Sequence, residues 1–284
     1  MHDTVAVPEV ALRVAERLQT VSGVAAVVLG GSAARGVADA RSDVDLGLYY
    51  DPARPFAVSA LREIARELDD RHGTDLLTDF GGWGPWINGG GWLVIGGTRV
   101  DWIYRDLARV GGVIADCVDG RYTSYYQPGH PHAFHTHMYM GEVHHAHVLV
   151  DRQGTFVALQ TRTVPYPPKL RETVVQRNLS EAQFALENAA KAPDRGDTFY
   201  VAGCLFRCAA CLVQALFALN GRYFLNEKGS VAAAAAFRLR PEQFAETITD
   251  VLAATGRTPE ALQHDLTRME SLVRATRKVC GLTD

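Results

Sequence analysis

In the N-terminal third of the chain, apolar residues recur in two rhythms. From Pro8 to about Thr20, Val10, Leu12, Val14 and Leu18 alternate with charged residues in the manner of an amphipathic helix, which Ser22 and Gly23 bring to an end. The unbroken apolar run Val24 to Leu29 predicts a buried strand. After a glycine-containing turn, Val44, Leu46 and Leu48 point one way and Asp43, Asp45 and Gly47 the other, which predicts a strand with both carboxylates on one face. Leu61, Ile64, Ala65 and Leu68 then form a helical stripe. The glycines and tryptophans from Gly81 to Gly97 predict turns and irregular hairpin segments, followed by a further strand from Thr98 to Tyr104.

Beyond about Arg105 the texture changes to alanine- and leucine-rich helical segments, near 170–192, 197–220, 227–238, 241–255 and 259–279, each bounded by glycine, proline or polar residues. The stretch Tyr122 to Asp151 is rich in histidine and aromatic residues, and Pro165 to Pro168 resists helix continuation. These landmarks predict an α+β protein with a sheet-containing domain over 1–120, a connecting segment over 121–168 and an α-helical bundle over 169–284.

Composition sharpens this picture. A chain of 284 residues with 47% hydrophobic content can bury a large core and fits two domains. A net charge of −3 from 29 basic and 32 acidic residues gives no footprint for a long nucleic acid and favours a small-molecule acceptor. The five cysteines are odd in number, and Cys204, Cys208 and Cys211 recur at helical spacing in an apolar stretch, so they read as core packing in a reducing cytoplasm. The sequence has no recognisable secretion signal at its start, and no uninterrupted apolar segment predicts a membrane span.

Candidate chemistry gathers in two segments. In Gly30-Gly31-Ser32-Ala33-Ala34-Arg35-Gly36, small residues after an apolar strand allow backbone amides to approach phosphate oxygens, and Ser32 adds a hydroxyl. Such a turn is common at strand ends, but Ser42-Asp43-Val44-Asp45-Leu46 follows closely and aims two carboxylates at one place. Their repulsion is relieved if they ligate a hard divalent cation together. A third carboxylate is expected where two ions clamp an in-line displacement. Asp101 is the best candidate, because Val100, Trp102 and Tyr104 alternate with it inside a strand, whereas Asp75, Asp79 and Asp106 fall at edges or turns.

Together, Gly30-Gly31-Ser32, Arg35-Gly36, Ser42-Asp43-Val44-Asp45-Leu46 and the distant Asp101 resemble the active-site motif of the polymerase-beta-like nucleotidyltransferase superfamily, over roughly residues 24 to 104. The resemblance implies a small mixed β-sheet flanked by helices. It implies that Asp43 and Asp45 bind two magnesium ions, that Asp101 completes one metal site, and that Gly31 and Ser32, with Arg35 and Ser42, hold a nucleoside triphosphate, ATP being expected. An acceptor hydroxyl would attack the α-phosphate near Asp101, and pyrophosphate would leave. The helical half is similar to the bacterial aminoglycoside and lincosamide type, which implies a small hydroxylated acceptor, an antibiotic among the candidates, and leaves a homodimer open. Resemblance to the kanamycin-type enzymes makes Glu142 a candidate general base, against an ordinary solvated helix glutamate.

Other residues carry weaker signals. Seven of the ten histidines lie between His130 and His147, but no cysteine accompanies them and adjacent imidazoles cannot all face one point, so a structural or surface role outweighs a zinc site. Lys228, beside a helix start that Asn226 would cap, is a candidate phosphate-binding cation against an exposed lysine. The spacing of Arg257 and His264 loosely resembles ribonuclease motifs, which Pro259 weakens. Competing functions are transfer of AMP to a partner protein in a toxin and antitoxin pair, an RNA-directed transferase, and a non-catalytic nucleotide-binding scaffold.

Overall fold

The computed structural model describes residues 6–36 and 42–282. In chain order the N-terminal part runs α1 (Glu9–Leu18), β1 (Val24–Leu29), α2 (Gly31–Ala34), β2 (Val44–Tyr50), α3 (Val58–Leu68), β3 (Gly90–Ile95), β4 (Thr98–Asp106) and α4 (Leu107–Val118). It continues with β5 (Ser124–Tyr125), β6 (Phe134–His135), α5 (Met138–His145), β7 (His147–Asp151) and α6 (Thr155–Thr161). Helices α7 (Pro168–Ala189), α8 (Thr198–Leu219), α9 (Ser230–Ala235), α10 (Phe244–Ala253) and α11 (Pro259–Val279) follow. Two compact units divide the chain: Met1–Asp116 with Tyr139–Pro165, and Cys117–Met138 with Tyr166–Asp284.

The first unit is built on a five-stranded sheet of order β3-β4-β2-β1-β7. Strands β2 and β4 run parallel and every other neighbouring pair antiparallel, so the sheet is mixed. Alternation divides its two faces. Val27, Leu29, Leu46, Leu48, Leu93, Val100, Trp102 and Tyr104 point into a core closed by Val14 and Leu18 of α1 and Leu61, Ile64 and Ala65 of α3. Each fully buried leucine there contributes about 1.5–3 kcal/mol relative to exposure. Asp45 and Asp101 point to the other face, where the same side-chain period places them. The segment 121–168, expected to connect two domains, is divided between the units. Its later part supplies β7, which pairs with β1 from Ala26↔Asp151 to Leu29↔His147, and the His147 ring lies 3.0 Å from the Ala34 carbonyl at the end of α2.

The second unit is mainly helical. Pro168 and Pro259 open α7 and α11, and Asp197 and Thr258 cap α8 and α11 through the backbone N–H groups of Tyr200 and Ala261. Helix α8 is long and apolar enough to cross a membrane by length and composition, contrary to the expectation from the sequence; most of it is buried within the unit, as in a core helix. It carries Cys208 and Cys211 inward, and none of the five cysteines of the chain is held in a disulfide.

Three imidazoles meet the amide of Gln214 on α8. Gln214 Nε2 lies 2.8 Å from His135 Nε2 and 3.3 Å from His132 Nδ1, while its Oε1 is 3.1 Å from His137 Nε2. Ser124 Oγ is 2.8 Å from His135 Nδ1. The amide can donate to His135 and His132 only if both of those rings are neutral, whereas His137 can donate to the amide oxygen in either charge state. Burial, with neighbouring imidazoles and Arg177 adding to it, pushes His135 down to about 2; burial likewise pushes His137 down to about 4, against a smaller opposing pull from Gln214. Both values are depressed, so the unfolded chain takes up protons that the folded unit refuses. Stability is therefore complete above pH of about 6.5 and falls as pH drops towards 4, by about 1.4 kcal/mol per unit for each histidine. Urea unfolding followed between pH 7 and 4.5 should show this slope, and His137→Asn should reduce it; a pH-independent midpoint would contradict the network.

Candidate active site

The strand pairing carries the candidate residues into one row. In the parallel register of β2 and β4, Asp45 lies directly beside Asp101, and in the antiparallel register of β3 and β4, Asp101 lies directly across from Trp92. Neighbouring strands are about 4.8 Å apart, so Asp45, Asp101 and Trp92 form a line across three strands on the face opposite the core. Asp43 stands just before β2, where its carboxylate pairs with the guanidinium of Arg99, two residues before Asp101.

On the β1 side of this row the chain turns through Gly30 into α2. Gly30 N–H donates to the Asp45 carbonyl at 2.8 Å. Gly31 adopts φ +62, and a Cβ built there would lie 1.7 Å from Asp45 Oδ2. Glycine is thus required twice at this position, for the left-handed backbone and for the close approach to the carboxylate. Arg35 donates from Nε back to the Gly31 carbonyl at 3.2 Å, so its side chain folds over the same turn. Ser32, within the turn, and Ser42, just before β2, are both half-buried.

The carboxylates sense each other. Burial first, then the charges of Asp45 and Asp43, push Asp101 up to about 6, with Arg99 pulling the other way. An oxygen-rich cluster whose charges repel is suited to a hard divalent cation such as magnesium. Among the described residues, no group of three or more His, Cys, Asp or Glu side chains is already arranged to hold a metal ion. The Asp43 to Arg99 ion pair supplies a physical reason, since it engages a carboxylate that a shared cation would need. The three carboxylates are hard oxygen donors of the kind a divalent cation takes.

Glu142 lies elsewhere in the first unit, and Lys228 is in the second. Glu142, on α5, accepts from Arg105 Nε and Nη2, both at 2.8 Å. Arg105 is buried at the far end of β4, four residues beyond Asp101 and roughly 13 Å along the strand. Its guanidinium also donates to the carbonyls of Ile87 and Tyr104 and lies over the Tyr139 ring. Burial opposes its charge, but Glu142 more than offsets this and raises the pKa of Arg105. These contacts account for Glu142 as the counter-ion of a buried arginine. Lys228 belongs to the second unit; it is exposed, in the turn before α9, and its N–H donates to Asn226 Oδ1 at 3.0 Å. Arg99, Arg105 and Trp92 were not singled out in the sequence. Only Trp92 carried a signal there, standing out of phase with Leu93 and Ile95.

Residues 10–80 match the nucleotidyltransferase domain family. The chain carries a nucleotidyltransferase domain. It is therefore an enzyme of nucleotide transfer in the general sense of that family, whose match spans α1 to α3 and includes the Gly31 turn, Asp43 and Asp45. Residues 135–228 match a domain of unknown function (DUF4037). No curated protein matches the chain. Among solved structures it is similar to a nucleotidyltransferase-like protein from Exiguobacterium sibiricum 255-15, with 9% identity, 94% of this chain and 73% of that chain covered, and a TM-score of 0.45.

Two variants test the geometry. Gly31→Ala should lower nucleotidyl transfer by about 100-fold, the scale of loss for an ångström-sized misplacement, because its methyl group displaces the Asp45 carboxylate; near-normal turnover would contradict the close approach. Glu142→Ala should cost about 3 kcal/mol in urea unfolding by stranding the Arg105 charge. Glu142→Gln, which keeps an acceptor, should cost less. Equal stability of all three proteins would remove the anchoring role.

Proposed function

We propose that the nucleotidyltransferase domain transfers a nucleoside monophosphate from a nucleoside triphosphate, ATP being the expected donor, to a hydroxyl of a small molecule. The single observation that carries this reading is the alignment of Asp45 with Asp101 on adjacent parallel strands, with Asp43 close by and the Gly31 turn pressed against Asp45. In the reaction the acceptor oxygen forms a bond to the α-phosphorus while the bond from that phosphorus to the bridging oxygen breaks. Pyrophosphate departs with the electron pair, and the hydroxyl proton passes to water.

Asp43, Asp45 and Asp101 would hold magnesium, which supplies neutralisation of phosphate charge. The chain's own groups do the rest. Gly31 and Ser32, with Arg35 and Ser42, would line the phosphate end through backbone amides, hydroxyls and a guanidinium. Catalysis of this kind rests on positioning and preset electrostatics more than on covalent participation. The half-burial of Asp101 helps, because charge interactions are stronger where water is partly excluded.

The small acceptor, an antibiotic among the candidates, is supported by the balanced charge of the chain, with 29 basic against 32 acidic residues and no excess of cations for a nucleic acid. Five cysteines with no disulfide among them suit a reducing cytoplasm. The test is magnesium-dependent pyrophosphate release from each of the four nucleoside triphosphates, with and without hydroxylated acceptors, in wild-type protein and Asp45→Asn. Acceptor-dependent release that vanishes in a normally folded Asp45→Asn protein is the expected result; undiminished release in that variant would sink the assignment.

A further inference from the structure

The row of side chains on the sheet face opposite the core does not end at Asp101. Its third member, Trp92 on β3, lies directly across from Asp101 and is 63% exposed, the most exposed of the large aromatic side chains of the first unit that stand out from the surface. A lone exposed tryptophan is unremarkable, but this one is backed. The Trp83 ring stacks on it with centroids 4.6 Å apart and planes inclined by 30°. The Trp83 backbone is itself held in place, its main-chain N–H donating to the Asn88 carbonyl at 3.2 Å. It also lies over Gly90, where a Cβ would come within 2.9 Å of Trp83 Cζ3 and 1.8 Å of the Trp102 carbonyl oxygen. The backbone of β3 is thus cut away beneath Trp83, and the pair forms a fixed two-indole wall beside the carboxylates.

The sheet order decides which reactant this wall faces. Across the strands the sequence of groups is Trp92 on β3, Asp101 on β4, Asp45 on β2, and then the Gly31 turn that follows β1. In an in-line displacement, the attacking and leaving oxygens lie on opposite sides of the phosphorus. With the leaving pyrophosphate at the Gly31 and Ser32 end, the attacking hydroxyl enters from the Trp92 end.

We propose that Trp92, backed by Trp83, is the stacking platform for the acceptor, and that the acceptor presents its hydroxyl beside a flat ring face, aromatic or sugar. This inference rests on the nucleotidyl-transfer reading above and adds the acceptor's chemical class to it. An indole face gains from contact with either kind of ring and orients it without hydrogen bonds, so the hydroxyl is positioned while the polar groups of the row serve the phosphate. An acyclic polyol offers no face to stack.

The test compares three probes, methyl glucopyranoside, 4-hydroxyphenylacetamide and sorbitol, as acceptors for wild type, Trp92→Ala and Trp92→Phe, with pyrophosphate release and product mass as readouts. Transfer to one or both ring compounds and not to sorbitol is expected, and which of the two is used separates a sugar from an aromatic acceptor. Trp92→Ala should raise the acceptor KM by about ten-fold and leave the KM for the triphosphate unchanged, and Trp92→Phe should recover most of the loss. Independently of turnover, tryptophan fluorescence of the nucleotide-free protein should change saturably with the preferred ring compound in wild type and not in Trp92→Ala. An active enzyme that uses sorbitol equally well, or whose acceptor KM and fluorescence response are untouched in Trp92→Ala, overturns the inference and leaves the transfer reading standing. Failure of wild type to release pyrophosphate with any of the three and with the wider acceptor panel removes the transfer reading, and this inference with it.

Discussion

The electrostatic repulsion among Asp43, Asp45 and Asp101 is the constraint on which the rest of the first unit turns. Carboxylates on adjacent strands of one sheet face destabilise each other, and the cost is visible in Asp101, pushed up to about 6 by burial and by its two neighbours. Here the parallel pairing of β2 and β4 forces Asp45 and Asp101 side by side, and the buried alternation of Val44, Leu46 and Leu48 with Val100, Trp102 and Tyr104 prevents either strand from slipping. A one-residue shift would expose the core and bury the charges. The hydrophobic face therefore fixes the position of the acidic one.

Around that row each neighbouring element has a matching role. Gly31 gives up its side chain so that the turn after β1 can reach Asp45. Arg99 engages Asp43, which tempers the repulsion among the carboxylates. Strand β7 covers the outer edge of β1, and the contact of its His147 with the Ala34 carbonyl ties the end of α2 to the sheet. At the opposite end of β4, Arg105 and Glu142 join α5 to the sheet through a buried ion pair, whose value lies in the cost of breaking it more than in net attraction.

Much of this was legible in the chain itself, and the exceptions have physical reasons. Strands β1, β2 and β4 announce themselves as an unbroken apolar run and two clean alternations, and the alternations by themselves place Asp43, Asp45 and Asp101 on outward faces. Strand β3 is hidden because it opens with two glycines and the rest of it, Trp92 to Ile95, is a short apolar run with no alternation. Strand β7 is hidden because His147 to Asp151 is short and lies in a histidine-rich stretch; its identity as a strand comes from pairing with β1, more than a hundred residues away in sequence. For the same reason the return of Tyr139–Pro165 to the first unit has no local signal. The Glu142 to Arg105 pair spans 37 residues, so a lone glutamate in a helix could not reveal its partner. The histidines of 130–147 read by composition as having a structural or surface role, but Gln214, which meets three of them, sits on a helix whose sequence is mainly apolar.

The most direct test of the account is manganese binding, used as a paramagnetic stand-in for magnesium and measured by electron paramagnetic resonance in the presence of a non-hydrolysable nucleoside triphosphate. The account predicts saturable binding to wild type that is lost in Asp101→Asn and in Asp45→Asn while both variants keep the wild-type fold by circular dichroism. Binding of equal strength and stoichiometry in all three proteins would contradict it, because the aligned carboxylates would then not be the seat of the metal.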